Sequence, residues 1–163
     1  MFEQTAGRLW KRLSRDERQA AARHFFAQPP QEALGSALAV LIKARHLRPQ
    51  VARSMPPEEQ ARALSSVLEV GETLAASLLV ALHLGERRPM LAIFLDAAGL
   101  PHEEGLLKEE ADAVAFTEEN ARAGVRALAA AFPREQVEVY LNTLWLQDPD
   151  RWAPLEHSSD WLA

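Results

Sequence analysis

A chain of 163 residues with no cysteine is long enough to fold around its own core, and disulfide, thiolate and cysteine-ligated metal chemistry are closed to it. Ala (29) and Leu (24) make up almost a third of the residues, against 15 Val, Ile and Thr, so an all-α fold is expected. The net charge of −5 is unevenly spread: residues 1–53 carry ten Lys/Arg and four Asp/Glu, and residues 54–163 carry eight and nineteen.

Phe2, Ala6, Leu9, Trp10 and Leu13 recur at helical spacing. Ser14 and Glu17 form an S-x-x-E capping box that opens a second helix reaching about Ala27, where Pro29-Pro30 stops it. Leu34, Leu38, Leu41 and Ile42 mark the next stripe, closing near Leu47. Pro49 permits only a short helix before Pro56-Pro57. Pro57 suits a first helical position, and Glu58 and Glu59 complement the positive helix end. That helix is expected to run to Gly71. The segment Glu72 to Leu84 is apolar nearly all round and belongs at the centre of the fold.

Pro89 opens a helix with Leu91, Phe94, Leu95 and Ala98 on its face. Gly99, Leu100 and Pro101 carry the pattern of a Schellman-type end, and "PHEEG" reads as a turn with Gly105 left-handed. Leu106 and Leu107 are expected to anchor that turn to the body. Thr117, followed by Glu118 and Glu119, is an N-cap for a helix bearing Val125, Leu128, Ala129 and Phe132. After Pro133, Val137, Tyr140, Leu141, Leu144 and Trp145 mark the last long helix. Asp148 before Pro149 predicts a short helix carrying Trp152. No convincing period-2 run is present.

Shifted by 40 residues, segment 32–52 overlies 72–92 with seven agreements in 21, including Arg48-Pro49 over Arg88-Pro89. The period is that of two- or three-helix units of the HEAT and armadillo kind, a likeness of architecture that carries no family signature. One all-helical domain, 1–163, is expected: a hairpin 1–28, units 31–70, 71–116 and 117–147, and a tail 148–163 with a short helix. Its helices form either a short solenoid of stacked hairpins or an irregular multi-helix bundle.

Several chemistries are excluded at once. G-x-S-x-G, the Walker lysine loop and G-x-G-x-x-G are all missing. No cofactor is expected. The densest polar cluster, "FLDAAGLPHEEGLL", offers His102 with Glu103 and Glu104. His83-x-x-Glu86 would place two ligands one helical turn apart. His83, Glu86, Asp96, His102 and Glu103 are therefore the candidates for a metal-assisted or acid/base enzyme, although matching ligand sets on other helices are lacking. Arg8, Lys11, Arg12, Arg15, Arg45 and Arg48 are the candidates for phosphate or nucleic acid, a reading the acidic balance disfavours. Trp145, Trp152, Trp161 and Leu162 concentrate aromatic surface in the tail, to staple the C-terminus or to meet a partner.

The first expectation is a non-enzymatic helical module that binds a protein or peptide through a groove or apolar face, with a homo-oligomer also open. Its N-terminus has an early acid and no apolar signal core. The longest apolar run, Leu74 to Leu84, falls far short of the ~20 residues of a spanning helix. A cytoplasmic, non-membrane protein is expected.

Overall fold

The computed structural model describes residue 2 and residues 4–162. They form an all-α, multi-helix fold of ten helices: α1 (Ala6–Arg12), α2 (Arg15–Ala27), α3 (Gln31–Arg45), α4 (Pro49–Ser54), α5 (Pro57–Ser65), α6 (Glu72–Leu84), α7 (Arg88–Ala97), α8 (Glu118–Ala131), α9 (Arg134–Gln147) and α10 (Ser158–Trp161). Two 3₁₀ turns, Glu109–Ala113 and Ala153–Leu155, and a two-stranded hairpin complete the described residues. No helix among them is long and apolar enough to cross a membrane.

The chain divides into two compact units: residues 5–86, and residues 87–163 together with 1–4. The division falls inside the expected segment 71–116.

In the unit of residues 5–86, α6 packs against α1, α2 and α3, and α2 also packs against α5. Burial of Leu74, Leu78, Leu79 and Leu82 along α6 agrees with its uniformly apolar sequence. The helix starts are built locally. Ser14 Oγ accepts the Glu17 amide at 3.2 Å while the Ser14 amide donates to Glu17 Oε2 at 2.7 Å, closing the capping box. Helix α1 has no acid in its first turn, and Glu72 supplies one from α6, accepting the Gly7 N–H at 3.1 Å. Trp10 is fully buried and donates its indole N–H to the Val67 carbonyl at 2.9 Å.

Two helix faces differ from expectation. On α3 the fully covered line is Ala33, Ala37 and Leu41, whereas Leu34 and Leu38 are half-buried. Small residues allow close helix approach there, so the larger leucines flank the contact. Helix α5 ends at Ser65, not at Gly71. The Ser65 and Ser66 hydroxyls turn back to the carbonyls of Arg62 and Ala63 at 2.7 and 2.8 Å, competing with helix continuation. Gly71, at φ +87°, instead opens α6.

In the unit of residues 87–163, α7 packs against α8, and α8 contacts α9, α10 and the second 3₁₀ turn. Gly124 on α8 lies against Phe94, whose ring would be 2.6 Å from an added Cβ. Phe94 is the hub of an aromatic core: Tyr140 lies edge-on at 5.6 Å, Trp152 at 6.0 Å, and Phe116 meets Trp152 at 5.0 Å. Burial pushes the Tyr140 hydroxyl far above its ordinary range, so it stays neutral. The expected short helix at Pro149 is a turn instead. Asp148 closes α9, and its Oδ1 accepts the Arg151 amide at 3.1 Å. Trp152 then stands at the entry of the 3₁₀ turn.

Candidate functional site

Helix α7 ends at Ala97, and the chain reverses through a Schellman arrangement. Gly99, at φ +70°, donates to the Asp96 carbonyl at 3.1 Å, and Leu100 donates to the Leu95 carbonyl at 3.0 Å. Pro101 prevents further helix. The chain then forms a hairpin: β1 (His102–Glu103) pairs antiparallel with β2 (Leu106–Leu107), His102 opposite Leu107 and Glu103 opposite Leu106. Glu104 (φ +49°) and Gly105 (φ +85°) form the two-residue turn, both with positive φ, as a type I′ hairpin turn requires.

This small hairpin is held at several points. Gly105 is buried against α7, so close that an added Cβ would stand 2.6 Å from the Leu91 Cβ. Arg88 donates from Nε to the Glu104 carbonyl at 2.8 Å. His102 Nδ1 accepts the Gly105 N–H at 3.1 Å, and His102 Nε2 lies 2.7 Å from Asp96 Oδ1. An acceptor at Nδ1 requires the proton on Nε2, which then donates to the Asp96 carboxylate. Both ring nitrogens are engaged in holding the turn.

Leu106 and Leu107 do not anchor the turn to the body; they are 47% and 36% exposed. Gly105 is the residue that approaches α7, and the two residues after it are exposed. The leucines line an open depression of about 710 Å³, rimmed by Glu103, Glu104, Glu109 and Glu110 and including Arg88 and Lys108. Val114, 38% exposed, lies further along the same acidic segment. The outward facing of this leucine pair is not legible in the sequence, because two-residue strands are too short to show alternation.

The other candidates are dispersed. His83 is 3% exposed and its Nδ1 donates to the Leu79 carbonyl at 2.8 Å, which fixes its tautomer. Glu86 is exposed and lies beyond the end of α6 at Leu84, so the two do not share a helix face. They belong to residues 5–86, whereas Asp96, His102 and Glu103 belong to the other unit. Of these five, the structure brings Asp96 and His102 into direct contact. Among the described residues no group of three or more His, Asp or Glu stands together in a way that could hold a metal ion.

Trp152 is buried in the aromatic core. Trp145 stacks on Phe2 at 4.6 Å, and Trp161 lies beneath the Arg122 guanidinium at 5.2 Å. The tail thus packs on its own unit, with Trp145, Trp161 and Leu162 half-buried. Arg8, Lys11, Arg12 and Arg15 lie on α1 and the start of α2, all four exposed, and Lys11 pairs with Glu69. Arg45 and Arg48 flank the α3–α4 turn, where His46 adopts a left-handed conformation at φ +52°. There Arg45, Arg62, Leu47 and Met55 line a second depression of about 360 Å³, with Glu59 at its side.

No family model matches this sequence, and no curated protein or solved structure is similar to it. Function therefore has to be inferred from the geometry.

Proposed function

We propose that this protein is a helical interaction module that docks a protein segment on the hairpin of residues 102–107. The observation that carries the reading is the exposure of two consecutive leucines on a turn fixed by Arg88, His102, Asp96 and Gly105. A rigid apolar pair within a charged rim is the composition of an interface centre, because ordering costs are already met before the partner arrives. Four surrounding glutamates outnumber Arg88 and Lys108 there, which favours a partner that is basic as well as apolar.

The engagement of both His102 nitrogens supports a structural role for this imidazole over acid/base work. A general base needs a free nitrogen within reach of the proton it removes. The repeat belongs to the same proposal. Pro49 is the first residue of α4 and Pro89 the second of α7, so each Arg-Pro pair opens a helix behind an apolar one.

Panning a library of displayed peptides against the protein tests the reading, with the variant Leu106→Ser/Leu107→Ser as counter-target. Enriched peptides are expected to be basic and apolar, and to bind the variant about ten-fold more weakly or worse, the loss typical of removing an interface anchor. Absence of enrichment, or equal binding to the variant, overturns it.

A further inference from the structure

The protein carries a face of opposite chemistry to the hairpin. Residues 5–86 hold eleven Lys/Arg and eight Asp/Glu, whereas the unit containing residues 87–163 holds seven and fifteen. The contrast is concentrated locally. At the α3–α5 depression, Arg45, Arg62 and one acid, Glu59, border Leu47 and Met55, with exposed Arg48 and Arg53 on α4 and its approach. Val51, 46% exposed, lies one helical turn before Met55 and extends the apolar strip. At the hairpin, Leu106 and Leu107 lie among four glutamates, Glu103, Glu104, Glu109 and Glu110, and two cations, Arg88 and Lys108, so the rim is acidic on balance. Leu106, Leu107 and Val51 are open to solvent within a single chain, and Leu47 and Met55 are half-buried.

We infer that the occupant of the hairpin face is a second copy of this chain, which presents its α3–α5 depression. This rests on the docking role proposed for the hairpin and names its partner. Each apolar strip meets the other within rims of opposite net sign, so attraction steers the encounter and the leucines hold it. Because two different patches meet, the contact is heterologous: a pair of copies leaves one face of each kind unused. The interface is small and belongs to the weak, transient class, responsive to salt.

Light scattering and sedimentation over about 1 μM to 1 mM, the range that populates such interfaces, test the inference. The average mass is expected to climb above the 18.1 kDa monomer with concentration at low salt, and to fall back at high salt. Two charge reversals, Glu109→Lys/Glu110→Lys and Arg45→Glu/Arg62→Glu, alter exposed side chains and should keep the wild-type circular dichroism and melting midpoint. Each alone is expected to stay monomeric. Mixed in equal amounts they should associate, since the intact basic face of one variant meets the intact acidic face of the other. A wild type that is monomeric throughout, reversals that associate as well as wild type, or a mixture that stays monomeric each overturns the inference. If the wild type is monomeric and selected peptides still require Leu106 and Leu107, the docking role stands and the second copy is excluded as its occupant.

Discussion

At His102, two hydrogen bonds decide the chemistry. Acceptance from Gly105 at Nδ1 and donation to Asp96 at Nε2 define one neutral tautomer. Nitrogen-15 shifts of the ring are expected to show a protonated Nε2 and a bare Nδ1; a protonated Nδ1 would contradict the hairpin geometry. The glycines beside it separate two costs. Gly99 (φ +70°) has nothing within 4 Å of an added Cβ, so Gly99→Ala carries only the left-handed backbone cost, about 1–2 kcal/mol. Gly105→Ala carries that cost and a 2.6 Å clash with Leu91 besides, adding roughly 1–3 kcal/mol for overpacking. Denaturant midpoints should fall for both and further for Gly105→Ala. Equal falls would mean that the hairpin does not press on α7.

Helix ends in this chain are set by side chains, and their removal is measurable. Ser14→Ala deletes the hydroxyl half of the capping box and should cost about 1 kcal/mol, read as a lower denaturant midpoint with unchanged slope. An unchanged midpoint would show that the box is ornamental. Such ends are legible because their signals are local: Ser14 with Glu17, Pro57 with two acids, and Thr117 ahead of α8 all punctuate the sequence directly. Gly71 misleads because a glycine with positive φ serves a helix start as well as a stop. Where α5 ends, two serine hydroxyls turn back on its carbonyls, and the Val67 carbonyl is held by Trp10, a residue 57 positions away. The hairpin is hidden for a related reason. Glu104 takes the left-handed conformation that the type I′ turn requires, with Arg88 fastening its carbonyl from α7, and no local pattern announces that contact. The tail's aromatics are visible as a group, but their roles depend on tertiary partners. Trp152 joins Phe94 and Phe116 in the core, whereas Trp161 rests half-buried under Arg122. Trp152→Ala is therefore expected to cost about 3–5 kcal/mol. Trp161→Ala should cost about 1 kcal/mol or less, the scale of an exposed cation–π contact. Thermal melts that rank them the other way would refute the assignment of the staple to Trp152.

For the molecule as a whole, composition reaches the all-α class and stops short of the site. The alanine- and leucine-rich background hides which leucines face outward, and that distinction separates stability from function. Leu106 and Leu107 belong to a surface that the fold holds rigid without relying on it. The measurement that tests this most directly is a paired one on Leu106→Ser/Leu107→Ser: the unfolding free energy and the affinity for the occupant of the hairpin face. Stability within about 0.5 kcal/mol of wild type, as for ordinary surface substitutions, with affinity reduced about ten-fold or more, is the predicted result. A variant that loses several kcal/mol of stability, or that binds as well as the wild type, would contradict the account.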